Sequence, residues 1–334
     1  MMKKFIYTAF LTALTTVSMN AQTPKPTPTA QPSPTVAVTT APADLNTILT
    51  EATKQIDVYR ETFKDLLATE TKTFEDYNKS GDLRDAKVIE SNFLVYQSAK
   101  DSKSTAELRN VTKVDDELVP ESQSRADQFL AELAKTSTTE KELEKVEKEG
   151  LRYDKTLRIY GFTINQGIVL SENLRPVFEF KLLGTENYQG NEVYVVSYQQ
   201  TRKSQYITVN EKASESKGGT ADFDADIPGA LKKSDKFLRG KLWFDKNTFQ
   251  LWREVRQLTV KTSTDPLVVI ESIFEYAPSE FGILVPKKIS LLENEVKKAG
   301  KGEDYTAVKN MMVNFEYSKF RKTNVEVLIS DDEN

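Results

Sequence analysis

Apolar side chains at every second position run through the second half of the chain and constrain its fold more than any other feature. Near the C-terminal end, Met311, Val313, Phe315 and Tyr317 alternate with polar residues. The segments RPVFEFKLLG, NEVYVVSYQQ and LVVIESIFEY have the same period. A period of two with one apolar face is typical of antiparallel strands that bury one side. The pattern therefore predicts a large antiparallel sheet of about eight to eleven strands.

The first regular segment after the N-terminal region has a different period. From Leu45 to Leu67, apolar residues recur at spacings of three and four, and Asp44 stands where a helix cap is expected. This pattern predicts one long amphipathic helix. A helix of this kind usually covers a sheet, and we expect that here; a partner-binding or membrane-surface helix is the alternative.

Short strands and two further helices are predicted between this helix and the long strands. The strands are Thr71–Tyr77, Lys87–Ser98 and a hairpin over Glu107–Pro120, whose tip is Asp115-Asp116. The helices are Arg125–Lys135 and a segment from Thr139 to Gly150, in which Thr139 and Glu142 have the spacing of a capping box.

The stretch GKLWFDKNTFQLW predicts a hairpin with a four-residue turn at Asp245–Thr248. Its expected cross-strand pairs are Phe244–Phe249, Leu242–Leu251, Trp243–Gln250 and Lys241–Trp252. Both tryptophans then lie on the less apolar face, and Trp252 can stack under the Lys241 stem. We expect this face to be covered by the N-terminal helix; contact with a ligand is the alternative.

The N-terminal 43 residues have the composition of an export signal and a spacer. Lys3 and Lys4 precede an apolar run over Phe5–Val17, and Ala21 is the expected last residue of a signal peptide. The apolar run is shorter than the roughly 20 residues of a membrane span. Residues 22–43 are rich in Thr and hold six of the 12 prolines, which predicts an extended tether.

Composition narrows the chemistry that the chain can support. It contains no His and no Cys, which excludes a Ser-His-Asp triad, a Cys nucleophile and a Cys/His zinc site. The net charge is -4 with no long basic run, so nucleic-acid binding is not expected. Asp222, Asp224 and Asp226 alternate as at the start of a calcium loop, but Ile227 follows where glycine is required. We therefore predict no metal site and no cofactor.

Acidic residues within the strands are the remaining candidates for catalysis. Glu271 and Glu275 lie in the apolar segment LVVIESIFEY. Either could be a buried acid with a raised pKa. We expect both to face outwards, because period-two strands with one apolar face place their charges on the other. The sequence selects no catalytic pair, and we predict that the chain is not an enzyme.

From about Leu151 to Ile329, the pattern LRGKLWFDKNTFQLWREVRQL…FEYAPSEFGILVPKKI…VNFEYSKF resembles the lipoprotein-localisation-factor superfamily of LolA-like and LppX-like proteins. The mature chain also resembles a group of secreted bacterial proteins frequent in Acidobacteria, on the hairpin Arg109 to Asp116 and the patch from Tyr59 to Glu70. The superfamily resemblance implies a curved antiparallel sheet forming an incompletely closed β-barrel, with helices on its concave side. In better-known members, the enclosed cavity holds acyl chains.

These observations define the expected organisation of the chain. The fold class is α+β. We predict a signal peptide at 1–21, a Thr/Pro-rich tether at 22–43, one half-barrel domain at 44–330 with a helical and hairpin extension at 44–150, and a tail at 331–334. The protein is expected to be periplasmic or secreted from a Gram-negative bacterium, without a stable transmembrane anchor.

Function is predicted at the level of binding. The first hypothesis is a non-enzymatic carrier or sensor for a hydrophobic ligand such as a lipid or a lipoprotein acyl chain. The alternative is a structural or interaction module of the cell envelope with a solid core, whose partner is an envelope protein. The residues expected to line the ligand cavity are Phe178, Phe180, Tyr194, Tyr198, Trp243, Trp252, Phe274, Tyr276 and Phe315. Alternating aromatics of this kind could equally form a packed core.

Overall fold

The structure is a computed structural model that describes residues 43–98, 100–101, 104–150, 152–153, 163–210, 221–300 and 304–322. The predicted signal peptide, the tether up to residue 42 and the tail lie outside these residues. The described helices are α1 (Leu45–Phe63), α2 (Ser122–Ala134) and α3 (Thr139–Gly150). No helix in this part of the chain combines the length and hydropathy that a membrane span needs.

The described strands alternate in direction along most of the chain. They are β1 (Leu66–Tyr77), β2 (Leu83–Gln97), β3 (Thr105–Val114), β4 (Glu117–Leu118), β5 (Phe178–Tyr188), β6 (Asn191–Gln200), β7 (Ile207–Val209), β8 (Ala221–Phe223), β9 (Lys236–Asp245), β10 (Leu251–Val260), β11 (Leu267–Pro278), β12 (Leu284–Lys298) and β13 (Tyr305–Lys322).

Eleven of these strands form one antiparallel sheet in the order β4-β3-β2-β1-β13-β12-β11-β10-β9-β6-β5. The sheet is curved, and its end strands β4 and β5 are not paired with each other. β7 and β8 form a separate parallel pair. β13 pairs with β1 on one side and with β12 on the other, so the first and last described strands are neighbours within the sheet. The predicted α+β class and the large antiparallel sheet are therefore confirmed.

The two faces of the sheet differ in what covers them. One face, which we call the α1 face, carries Leu242, Phe274 and Phe315, and α1 packs on it through a ring contact between Tyr59 and Tyr276. The α1 residues Ile48, Ala52 and Phe63 belong to the same buried core as these strand residues. The prediction that the first helix covers the sheet is confirmed.

The first helix begins as predicted and ends earlier. The carboxylate of Asp44 accepts a hydrogen bond from the Thr47 backbone N–H at 3.0 Å. The helix stops at Phe63, and Leu66 and Leu67 lie in β1, so the predicted extent to Leu67 was wrong. Leu66 is buried as the first inward residue of the strand, and a helical spacing from Phe63 places an apolar residue at the same position.

The other face, which we call the opposite face, carries a second and smaller core at the β2–β3 end. There α2 and α3 pack on Ala106 and Leu108, and Leu133 and Val146 are buried in the contact. The predicted capping box of α3 was wrong. The Thr138 hydroxyl accepts from the Lys141 N–H at 3.3 Å, and Glu142 points into the protein to interact with β2 and the residues after it.

Two predicted hairpins were tested by the structure. The tip at Asp115-Asp116 is confirmed, since both residues have positive φ angles and join β3 to β4. The register of the β9–β10 hairpin was wrong: Leu251 pairs with Phe244, and Arg253 pairs with Trp243 after a bulge at Trp252.

The cause of the register error is the β9–β10 turn itself. The Asp245 carboxylate accepts from the Asn247 and Thr248 N–H groups at 2.9 and 2.8 Å. Phe249 adopts a φ of 59°, which closes a turn that places Asp245 opposite Gln250. The indole N–H of Trp252 donates to the same carboxylate at 3.1 Å and holds the bulge.

Candidate ligand-binding groove

A groove opens on the α1 face between α1 and the end strand β5. Its volume is about 850 Å³. The lining residues are Leu45, Asn46, Leu49, Thr53, Leu170, Glu172, Arg175, Pro176, Phe178 and Phe180. This volume falls within the roughly 300–1,000 Å³ of small-molecule sites, and most of the lining side chains are apolar.

The helical wall of the groove follows from the spacing of residues in α1. Leu45, Leu49 and Thr53 recur every four residues and therefore share one side of the helix. The backbone N–H of Ala43 donates to the Tyr194 hydroxyl at 3.3 Å, which ties the start of the helix to β6. The N-terminal end of α1 is thus held by the Asp44 cap and by this contact to β6.

The floor of the groove is a compact segment that precedes β5. It contains two turns of 3-10 helix, Ile168–Leu170 and Arg175–Val177. Gly167 begins this segment at a φ of 55°, and a Cβ there would lie 2.5 Å from the Ile56 side chain. Glycine suits this point because a side chain would be strained at this positive φ and would have to displace the end of the Ile56 side chain.

Two of the nine residues predicted to line a ligand cavity line this groove. Phe178 and Phe180 stand on its wall, 6.2 Å apart between ring centroids, and both pack on Tyr198. Tyr194 stacks on Phe249 at the rim of the sheet. Phe178 and Phe180 therefore remain candidates to line a ligand site, and their contact with a ligand stays a prediction.

Three further predicted residues lie deeper on the α1 face. Phe274 and Tyr276 have no exposed surface, and Phe315 retains 4%. They belong to the core that α1 covers, together with Tyr59 and other buried side chains. These three residues are therefore part of the packed core.

The two tryptophans lie on the opposite face, away from α1, and the expectation that the helix covers them was wrong. Trp243 alternates with the inward residues Leu242 and Phe244 and therefore points to the other side. Its indole N–H donates to Glu186 at 2.6 Å, and the Arg253 guanidinium lies 4.8 Å above its ring. Trp252 contacts the Tyr188 ring at 6.5 Å, so the predicted stacking under Lys241 was also wrong.

Sequence reasoning missed two clusters of buried charge beneath α1. In the first, the Arg109 guanidinium donates to Glu70 at 2.7 Å and to Glu107 at 2.9 Å. The Tyr317 hydroxyl donates to the other Glu70 oxygen at 2.8 Å. The backbone N–H of Thr163 donates to Glu107 at 2.7 Å, so this Arg109 cluster also holds the start of the groove's floor segment.

The second cluster is centred on Arg256. Its Nε donates to Glu254 at 2.9 Å, and the Tyr198 hydroxyl donates to the same oxygen at 3.3 Å. The Gly167 N–H donates to the other Glu254 oxygen at 3.2 Å. In both clusters, a carboxylate oxygen accepts a hydrogen bond from a backbone N–H of residues 163–167. These two hydrogen bonds position the floor of the groove.

Burial and the neighbouring carboxylates act together on the ionisation of these groups. Burial alone would lower the pKa of Arg109, but Glu70 and Glu107 raise it well above its ordinary value. Burial raises the pKa of Tyr317, and the charge of Glu70 raises it further. The pKa of Tyr198 is raised in the same way by burial and by Glu254. Both arginines stay charged and both phenols stay neutral, so the clusters are ion pairs that orient the chain. The Arg256 Nη2 lies 2.9 Å from Glu254 but makes no hydrogen bond within the described residues.

A signal for these clusters exists in the sequence. Arg109 lies two residues from the buried Val111, and Glu254 and Arg256 lie four and two residues before the buried Leu258. Charged residues thus occupy inward positions of period-two strands, and both signs are present. The favoured outward placement of Glu271 and Glu275 agrees with the structure, in which both are partly exposed.

The described residues contain no group of three or more acidic side chains placed to hold a metal ion. Asp222, Asp224 and Asp226 lie in and just after β8. Asp222 accepts a hydrogen bond from the Thr208 hydroxyl. Asp224 and Asp226 lie near Glu293, whose pKa is raised mainly by burial. Residues 211–220, which begin the acidic segment, lie outside the described residues.

Comparison with known proteins gives matches among solved structures alone. No family model matches the sequence, and no curated protein matches it. The LolA superfamily protein of Nitrosomonas europaea is 10% identical, with 87% of this chain and 99% of that chain covered and a TM-score of 0.33. A DUF1329 family protein of Desulfovibrio piger is 12% identical, with 84% and 94% covered and a TM-score of 0.35.

The lipoprotein LppX of Mycobacterium tuberculosis is 9% identical, with 84% of this chain and all of that chain covered and a TM-score of 0.24. The superfamily to which the sequence pattern pointed is thus present among the structural matches. At identities and TM-scores of this size, the likeness carries no information about what this chain binds.

Proposed function

We propose that this chain is an exported binding protein that holds a hydrophobic ligand in the groove between α1 and β5. The observation that carries the proposal is an open space of about 850 Å³ lined by Leu45, Leu49, Leu170, Pro176, Phe178 and Phe180. The predicted signal peptide at 1–21 and tether at 22–43 supply export and a spacer. The ligand class is one or more acyl chains.

Burial of alkyl groups is the driving force in this proposal. Each buried CH₂ contributes about 0.8 kcal/mol before the entropy of association is subtracted. Arg175 lies in the groove and is half-buried, so its guanidinium is placed to contact an acidic head group. The ligand would then be an amphiphile with its chain along Phe178 and Phe180.

A second candidate function is an interaction module of the envelope with a solid core. The complete burial of Phe274 and Tyr276 favours it, because these aromatics fill the space that a half-barrel would otherwise offer to a ligand. In this case, the partner is an envelope protein.

The test combines lipid extraction with a fluorescence titration. Protein purified from its native envelope fraction is extracted with organic solvent, and stoichiometric lipid is sought by mass spectrometry. A dansylated long-chain fatty acid is then titrated into the delipidated protein. We expect co-purified lipid and an increase of dansyl fluorescence that saturates.

A variant of α1 inside the groove and a variant of β5 outside it locate the site. Leu45→Glu places a charge in the groove and should weaken probe binding by about tenfold or more. Leu183→Glu changes an exposed leucine of β5 outside the groove and should leave probe binding unchanged. A lipid-free extract with no probe binding favours the interaction module, and equal effects of the two variants contradict the proposed groove.

A further inference from the structure

A second groove lies on the opposite face, across strands β5, β6, β9 and β10. Its volume is about 640 Å³. The lining residues are Glu179, Lys181, Ser197, Tyr198, Gln199, Arg239, Gly240, Lys241, Trp243, Arg253, Val255 and Gln257. We call it the cationic groove, because Lys181, Arg239, Lys241 and Arg253 against the single carboxylate of Glu179 leave a net charge of +3.

This concentration of positive charge runs against the composition of the chain. The whole protein has a net charge of -4, so its average surface is acidic. Like charges on neighbouring strands repel each other and weaken pairing. Glu179 reduces that repulsion by an ion pair with Lys181 at 3.2 Å. On β11, Glu275 lies opposite Arg253 and Glu271 lies opposite Gln257, which offsets part of the excess, and a bound anion would relieve the rest.

Arg253 is the best-formed anion-binding group in the groove. Its guanidinium lies 4.8 Å above the ring of Trp243, and Glu186 fixes that ring through the indole N–H. The Nε of Arg253 is buried and makes no hydrogen bond within the described residues. A buried donor without an acceptor is unfavourable, so a ligand oxygen that moved within hydrogen-bond distance of the Arg253 Nε would be stabilised.

An arginine favours a planar oxyanion. The guanidinium presents its N–H groups as a planar fork, which can form two parallel hydrogen bonds to a carboxylate. Lys241 projects from the paired strand β9 and is exposed, so it can contribute a second charge to the same ligand.

Neutral polar groups occupy the rest of the lining. Ser197 and Gln199 lie on β6, and Gln257 lies on β10. Gln257 accepts from the Arg239 Nε at 3.0 Å and donates to Glu271, which leaves the outer N–H groups of Arg239 for a ligand. Ser197 and Gln199 donate to backbone carbonyls, so their oxygens remain as acceptors for the hydroxyl groups of a sugar.

We propose that the cationic groove is a second binding site, separate from the groove between α1 and β5. It binds an acidic oligosaccharide whose carboxylates pair with Arg253 and Lys241. Its volume falls in the range of small-molecule sites, which fits a few sugar units. The site does not depend on the proposed lipid function, because the two grooves lie on opposite faces and share no lining residue.

The test is calorimetric titration of the full chain at low salt with three hexasaccharides. An oligogalacturonate supplies carboxylates, a heparin-derived hexasaccharide supplies sulfates, and maltohexaose is the neutral control. We expect the oligogalacturonate to bind, added salt to weaken the binding, and maltohexaose to give no heat. Tighter binding of the heparin fragment would replace carboxylate by sulfate as the recognised group and overturn that part of the proposal.

Two variants with the same change in net charge place the site. Lys241→Glu should weaken oligogalacturonate binding by about tenfold, and Lys135→Glu, at the exposed residue that follows α2, should leave it unchanged. Arg253→Lys keeps the charge but loses the planar fork, so its effect should lie between those of the other two. Lys241 is exposed, so the first variant is expected to fold.

Several outcomes would overturn the proposal. They are the absence of heat with every saccharide, equal effects of Lys241→Glu and Lys135→Glu, and tighter binding of a single-stranded DNA or an acidic peptide of the same charge. The variant Leu45→Glu tests whether the two sites are independent. It changes the groove between α1 and β5 and should leave oligogalacturonate binding intact.

Discussion

The opposite face of the sheet is covered at its β2–β3 end and open at its β5–β10 end. At the covered end, the strands present Leu94, Tyr96, Ala106 and Leu108, and α2 and α3 pack on them. At the open end, the same face presents mostly charged and amide side chains around the cationic groove. One sheet therefore has two apolar faces at one end and a single apolar face at the other.

This difference follows from what alternates with the core residues along each strand. In β3, the positions between Glu107, Arg109 and Val111 hold Leu108 and Asn110, so the strand buries residues on both sides. In β9, the positions between the buried Leu238 and Leu242 hold Arg239 and Lys241. Charged side chains keep their hydration where no partner is available, and helices cover the face only where it is apolar.

The largest expected difference between the two ends involves their arginines. Arg109→Met should lower the free energy of unfolding by about 3–5 kcal/mol, because it leaves Glu70 and Glu107 charged and buried. Arg253→Met removes a stacking contact at the open end and should cost about 1 kcal/mol or less. Urea unfolding measures both values. Equal costs would mean that the open end is as firmly packed as the covered one.

Deletion of apolar groups should separate the ends by a smaller amount. Leu133→Ala empties a fully buried site between α2 and β3 and should cost about 3 kcal/mol. Val255→Ala removes two methyl groups from the half-buried lining of the cationic groove and should cost about 1 kcal/mol or less. Thermal unfolding followed by circular dichroism provides the comparison, and a stable Leu133→Ala variant would refute the tight α2–β3 contact.

The smallest expected effect concerns pH at the covered end. Burial acts to raise the pKa of Glu142, but hydrogen bonds from Lys100 and Ser98 lower it below its ordinary value of 4.5. A carboxylate whose pKa is lowered by folding stabilises the protein above that ordinary value, and the contribution is lost as the pH falls through the lowered pKa.

The variant Glu142→Gln isolates this contribution. It should be less stable than the parent near neutral pH, and the difference should shrink as the pH falls below 4.5. Glu140→Gln, on the exposed side of the same helix, should follow the parent at every pH. A difference for Glu142→Gln that stays constant with pH would show that packing, and not charge, accounts for its role.

Much of the sheet could be predicted because period-two alternation is a local property. The strands with Phe178, Tyr194, Phe274 and Phe315 were all identified from single segments, and the hairpin tip at Asp115-Asp116 was found from two adjacent residues. Errors arose where one pattern fits two structures. Leu66 satisfies the helical spacing from Phe63 and also the inward position of a strand. The register at Trp252 depends on a bulge that an aspartate side chain stabilises.

The grooves and the charged clusters could not be predicted because they depend on contacts between distant segments. Leu45 and Phe180 meet only after α1 has packed on the sheet, and Arg109 meets Glu70 only through the pairing of three strands. An arginine at an inward strand position indicates a buried partner without identifying it. The partners follow from the order of the strands, which the sequence pattern leaves open.

The position of β13 between β1 and β12 has a consequence for how the chain reaches its native state. Without this strand, the other strands of the sheet form two separate ribbons, one of β1 to β4 and one of β5, β6 and β9 to β12, and each has an unpaired edge where β13 belongs. Contacts between such distant parts of a sequence close slowly, and exposed strand edges are prone to aggregation. A chaperone that shields these two edges would therefore increase the yield of folded protein.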